Sequence, residues 1–176
     1  MIKNKQDYLE YLQADAAANH FDSSFSGRIN LQRKFLRQLR KVEYLSNVRG
    51  NKFRLALAKY RFYQLSVKTG FTIPPNTFGK GLFLPHLGTI VVNTTARLGD
   101  DCIVQCGVNI SEDVVGGNHL FLGAGCKLMI GVNIADDVIV GANAVVTKDV
   151  AEPNIVVAGV PAKKISDRGF KNRGAI

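Results

Sequence analysis

The chain has 176 residues, 46% of them apolar, and a formal net charge of +9, a make-up that fits one globular domain and excludes a disordered chain. No apolar window approaches the roughly 20 residues that a membrane-spanning helix needs. The opening MIKNKQDYLEYLQADAAANHF lacks the apolar core of a secretory leader and already carries Asp7, Glu10 and Asp15, so a cytoplasmic protein is expected.

The first predicted element is a short amphipathic helix over DYLEYLQADAAA, followed by a polar linker, HFDSSFSGR. LQRKFLRQLRKVEYL (31–45) then places Leu31, Phe35, Leu39 and Val42 at spacings of four, four and three, one apolar stripe on a very basic helix. Asn47 to Gly50 reads as a break, and KFRLALAKYRFYQLSVK (52–68) as a second basic helix. Gly70 and the pair Pro74-Pro75 end helix formation.

Charge is unevenly placed along these elements. Residues 28–68 hold twelve Lys/Arg against the single acid Glu43, whereas residues 69–161 hold four bases against eight acids. A basic helical segment is joined to a mildly acidic body. The segment suits an anionic membrane surface or an acidic acceptor; a solvated helical cap is the plain alternative. No nucleic-acid motif accompanies the charge, so nucleic acid is not an expected partner.

From Val92 onward the chain repeats every six residues. Val92, Leu98, Val104, Ile110, Gly116, Leu122, Leu128, Ile134, Val140 and Val146 are aliphatic in nine of ten cases, and the positions four further on, from Ala96 to Val150, are all small or apolar. Neither a helix nor an alternating strand has this period. A six-residue unit with apolar first and fifth positions is a short strand and a turn, which buries its apolar face only by winding into a stacked coil. Cys102 and Cys126 fall on the inward fifth position and read as small core residues, while Cys106 falls on a turn. Three cysteines without a CxxC pair or a His/Cys spacing predict neither a disulfide framework nor a metal site.

Upstream, Phe78, Leu84 and Ile90 are six apart but Ile90 and Val92 are two apart, so the phase is read as slipping at IVVN. Beside that slip His86 stands in GLFLPHLGTIVVN, outside the inward set. A slip next to a polar residue suggests a coil shaped for something other than packing.

The repeat, the opening GFTIPPNTFGKGLFLPHLGTIVVN (70–93), the late coils IVGANAVVTKDV (139–150) and the closing AGVPAKKI (158–165) resemble the hexapeptide-repeat acyltransferase superfamily. The likeness is to its serine acetyltransferase-like branch and, more closely, to bacterial polysaccharide O-acetyltransferases. It implies a mainly β fold, a left-handed parallel β-helix over 71–166 preceded by a small α-helical region over 1–70, with a polar tail over 167–176 that frays. It implies an acetyl-CoA-dependent O-acetyltransferase acting on a sugar hydroxyl of a surface glycan or its precursor. Serine O-acetylation is the alternative, and a carbonic anhydrase-like or purely scaffolding β-helix a more distant one. A homotrimer is implied, with CoA bound in the groove between neighbouring β-helices and no metal.

Residue by residue, the resemblance makes His86 the general base, since a neutral imidazole can take the hydroxyl proton as the oxygen attacks the thioester. An oxyanion donor is sought among the backbone N–H groups of Gly107 to Asn109. Gly141, Ala142, Lys148, Lys163 and Lys164 match the CoA-binding positions. His119, in GGNH, is a further candidate for substrate or cofactor contact, although it sits in strict repeat register at a turn; His20 reads as a surface residue. Two departures stand out: serine acetyltransferases carry aspartates at the positions of Thr72 and Pro85. Losing both argues against serine as acceptor and leaves open what orients His86.

Overall fold

The computed structural model describes residues 1–21, 29–48 and 51–172. Among the described residues the principal helices come first: α1 (Lys5–Ala18), α2 (Leu31–Asn47) and α3 (Lys52–Thr69). Each starts on an asparagine, Asn4, Asn30 or Asn51, whose side-chain oxygen accepts a backbone N–H of the first turn at 2.9 Å. Such a residue satisfies a donor that a helix start leaves without an intrahelical partner. Gly70 ends α3 in the left-handed conformation, φ 78°, the usual use of glycine at a helix C-terminus.

Short strands follow: β1 (Phe71–Thr72), β2 (Ile90–Val92), β3 (Arg97–Leu98), β4 (Ile103–Val104), β5 (Asn109–Ile110) and β6 (Val115–Gly116). Then come β7 (Phe121–Leu122), β8 (Lys127–Leu128), β9 (Asn133–Ile134), β10 (Ile139–Val140), β11 (Val145–Val146), β12 (Val156–Ala158) and β13 (Lys163–Ser166). They stack as three sheets, β1-β2-β5-β8-β11, β3-β6-β9 and β4-β7-β10-β12-β13, parallel throughout except for the closing β12–β13 pair. Val91, Asn109, Lys127 and Val145 stand in register on one sheet, so one coil takes eighteen residues, or three hexads. The protein is a mainly β solenoid with helices at its N-terminal end.

Both apolar columns of the repeat point inward. Cys102, Val104, Val108, Ile110, Leu120, Leu122 and their counterparts are buried in one continuous core. Between them the chain turns three corners per coil. Asp101, Asp113, His119, Asp137 and Asn143 take positive φ there, a conformation that Asn and Asp tolerate better than most residues. At Gly107, φ 77°, a Cβ would come within 3.2 Å of the Gly125 backbone one coil away. The polar triplets also tie coil to coil: the Lys80 N–H donates to Asp100 at 2.9 Å, the Asp100 N–H to Asn118 at 2.9 Å, and the Asn118 N–H to Asp136.

The phase change lies upstream of where the sequence placed it. Ile90 and Val92 are an ordinary inward pair flanking exposed Val91. Phe83 pairs with Ile103 and Val91 with Asn109, so eight residues on the first coil span what six span on the second. The two extra residues lie between Leu84 and Ile90, in the corner Pro85–Thr89.

The helices close the first coil through a buried ion cluster. Arg40 of α2 has no solvent exposure; its guanidinium donates to Asp15 of α1 at 2.8 Å, to Glu43 at 3.0 Å and to the carbonyl of Phe78 at 3.1 Å. Asp15 in turn accepts the Leu82 N–H at 3.0 Å, and Glu43 the Asn76 N–H at 2.8 Å. Arg40 therefore contributes nothing to the basic surface read from residues 28–68.

Burial pushes the thiols of Cys102 and Cys126 up to about 12, while Cys106 is half-buried at a corner. Since the thiolate is the reactive form, a thiol titration of the native protein is expected to count one group, and the denatured chain three. A second rapidly reacting thiol would mean that the core opens.

Candidate active site

The corner Pro85–Thr89 sets His86 outside the coil. Leu84 and Ile90 anchor its two ends in the core, and the extra residues cannot lie flat on the sheet, so they bulge outward. His86 is exposed, and its imidazole makes no hydrogen bond or ion pair among the described residues. The corner is braced from the helical side. Gly88 donates to the Thr69 carbonyl and Ile90 to the Gly70 carbonyl, both at 3.2 Å. A Cβ on Gly88 would meet the Cys106 side chain at 3.3 Å.

Thr72 lies on the strand beside this corner, paired with Val91, and is exposed. It lines a groove of about 460 Å³ with Phe62, Tyr63, Ser66 and Pro74. Pro85 directly precedes His86, so no carboxylate stands at either position where the family pattern expects one.

Down the same edge of the solenoid, the corners of successive coils are 105–107, 123–125 and 141–143. Gly141 and Ala142 thus share His86's column, three coil spacings of ~4.8 Å or about 14 Å away. A Cβ on Gly141 would meet the Ala158 side chain at 2.9 Å, and Ala158 pairs with Lys163 across β12–β13. The late-coil glycine and the closing motif are therefore neighbours. Lys163 is exposed, with no ion pair among the described residues. Lys164 is engaged by Glu152 at 2.6 Å and Asp167 at 2.5 Å. These contacts raise its pKa, the hydrogen bond to Asp167 most. Lys148 is exposed but sits on a different corner, between β11 and Val150.

Two expectations change. The N–H groups of Gly107 and Asn109 donate to the carbonyls of Thr89 and Cys126 at 2.6 and 3.0 Å, so the coil ladder already uses two of the three backbone donors between Gly107 and Asn109. Of the predicted tail, residues 173–176 lie outside the described residues, and the part from Asp167 to Asn172 does not simply fray. Gly169 is buried, and the Phe170 N–H donates to the Asp137 carbonyl at 2.9 Å.

His119 occupies another corner of the solenoid from His86, so one chain does not bring the two together. Its Nδ1 lies 3.2 Å from Asp137, its Nε2 3.7 Å from Asp101, and its ring faces Phe170. Asp101, His119 and Asp137 are equivalent residues of successive coils. Their eighteen-residue spacing was the sequence signal for this bracket. His20 is exposed, with its ring edge-on to Phe83. Among the described residues no cluster of His, Cys, Asp and Glu could hold a metal ion.

No family model matches the chain. Serine acetyltransferase from Helicobacter pylori strain J99 is 34% identical over 128 residues, covering 63% of this chain and 74% of the relative. The chain belongs to the serine acetyltransferase family. The Mycobacterium tuberculosis member, strain H37Rv, is 36% identical over 108 residues, or 56% of this chain, and the match spans 47% of that protein, about half its length. Among solved structures, Brucella abortus serine acetyltransferase in complex with coenzyme A superposes with a TM-score of 0.74 at 26% identity. That alignment covers 94% of this chain and 70% of the other. These relatives are serine acetyltransferases, not the polysaccharide O-acetyltransferases that the opening motif suggested.

Proposed function

We infer that the protein is an acetyl-CoA-dependent O-acetyltransferase whose chemistry resides in residues 71–166, with serine the acceptor its relatives favour. The observation that carries this reading is the enlarged corner. In a member of this family, two extra residues hold an exposed His86 at one end of a column whose other end is formed by Gly141, Ala142 and the closing motif. An acyl thioester on a long flexible arm suits that layout. Its polar end would lie near Lys163, with Lys164 and Lys148 secondary because one is paired and the other lies on a separate corner.

In the transfer step, neutral His86 accepts the proton of the acceptor hydroxyl as its oxygen bonds to the thioester carbonyl carbon. The tetrahedral adduct collapses with cleavage of the carbon–sulfur bond, and the departing thiolate recovers the proton from the imidazolium. Acetyl ester and free CoA leave, and the base is regenerated.

A sugar hydroxyl is the second reading, favoured by Thr72 and Pro85. Without a carboxylate, neither position offers an anionic partner for the ammonium of serine. A homotrimer fits both readings. Val91, Val115, Met129 and Ile130 are exposed apolar residues, and Val91 and Ile130 line one groove, a surface that a neighbouring copy would cover. Use of acetyl-CoA fits a cytoplasmic setting.

The test is release of free CoA from acetyl-CoA with serine and, in parallel, a panel of free, nucleotide-linked and lipid-linked sugars. Serine-dependent release is the expected result. Release with a sugar alone would transfer the assignment to the second reading, and failure to bind acetyl-CoA would remove both.

A further inference from the structure

Among the described residues, nothing packs over the outer face of α3. Its inner face is buried through Ala58 and Thr69, with Phe62 and Leu65 packed against the core. On the opposite face Phe53, Tyr60 and Val67 are 87%, 62% and 66% exposed, and Leu57 and Tyr63 are exposed beside them. At 3.6 residues per turn these five form one apolar stripe. Cations border it on both sides, Arg54, Arg61 and Lys68 along one flank and Lys52 and Lys59 along the other. The helix contains no acidic residue. Next to the Arg61 flank, Lys34 and Arg37 of α2 line a groove of about 370 Å³ with Arg61 and Gln64. None of those three cations has an ion-pair partner among the described residues.

From this pattern we propose that α3 is a peripheral docking surface for an anionic phospholipid bilayer, lying in the plane of the headgroups. Aromatic and aliphatic side chains would enter the boundary with the acyl chains. The flanking lysines and arginines would extend upward to the phosphates, their methylene stems following the apolar stripe. Among the described residues no helix is long and apolar enough to cross a membrane, so the contact lies along the surface. A second copy related by a two-fold axis is a poorer occupant. A two-fold contact would set the same cations face to face with no acid on the helix to neutralise them. The charge polarity sets the orientation, because the basic helices would meet the anionic surface and the acidic solenoid would point away from it.

The test is flotation of the full chain with vesicles of phosphatidylcholine, with or without phosphatidylglycerol. Its readout is lipid binding, so its outcome is separate from that of the acetyl-transfer assay. Binding is expected only with phosphatidylglycerol, weakening as salt is raised. Changing Lys59, Arg61 and Lys68 together to glutamine should reduce it on the order of a hundredfold. The pair F53S and Y60S should reduce it at least tenfold. These side chains are exposed, and circular dichroism would verify that the variants fold. No binding to phosphatidylglycerol vesicles at low salt overturns the proposal, as does equal binding to both vesicle types. It is also overturned if the variants bind lipid normally but change the assembly's mass in sedimentation equilibrium, which would make the face a contact between copies.

Discussion

Replacing His86 with alanine is expected to lower acetyl transfer by roughly 10²–10⁴-fold, the usual contribution of a positioned general base. Affinity for CoA and the unfolding midpoint should remain near those of the parent protein. The expectation of unchanged stability rests on burial and bonding. His86 is exposed and makes no hydrogen bond among the described residues, and surface positions of that kind usually shift stability by no more than about 0.5 kcal/mol. Preserved CoA binding follows from distance, since the candidate donor-binding residues lie three coils away. Three measurements separate the roles: kcat with saturating donor, the Kd for CoA, and the urea midpoint. A loss confined to kcat identifies a base. If kcat survives, His86 is only a loop residue and the assignment fails. If CoA affinity falls in proportion, the imidazole contributes to binding instead.

The solenoid was legible because a coil imposes its period on every residue facing inward. From Ala96 to Val146 the two apolar columns read from the sequence are the core columns of the structure. The same template misplaced the irregularity. Inward positions alternate at spacings of two and four, so Ile90 and Val92 looked like a slip although they are a normal pair across one strand. The true insertion consists of residues that do not face inward, which a search for apolar spacing passes over. The polar ladder Asp100–Asn118–Asp136 and the bracket around His119 were within reach once eighteen residues were known to make a coil. Lys164 and its acids were not, because the contact with Glu152 depends on how the chain folds back after β12. Counting charge along residues 28–68 gave Arg40 and Arg61 the same meaning. Burial separates them, putting one in a closed cluster and the other on an exposed helix flank.

Changing Arg40 to alanine should be among the most destabilising substitutions in the protein, costing about 3–5 kcal/mol. Arg40 is fully buried. Burial alone would lower its pKa, but the carboxylates of Asp15 and Glu43 more than reverse this and keep the guanidinium charged. Removing it leaves two buried carboxylates without their counter-ion and frees the carbonyls of Phe78 and Gly79. It also removes the cation over the Tyr11 ring, 4.8 Å from the centroid. Exchanging the whole cluster for apolar residues, which is neutral in some buried ion pairs, should not rescue this one. Asp15 and Glu43 also accept the N–H groups of buried Leu82 and half-buried Asn76, and both would then lose their acceptors. Arg40→Lys should recover only part of the loss, because a single ammonium cannot reproduce the planar fork that reaches both carboxylates. The damage should begin locally. α1 and α2 are held to the first coil through this cluster, whereas the later coils are held by their own ladders. Hydrogen exchange of R40A should therefore show faster exchange at Leu82 and along α1 while β8 and β11 stay protected. Uniform acceleration throughout would mean that helices and solenoid unfold as one unit, and an unchanged urea midpoint would refute the structural role given to the cluster.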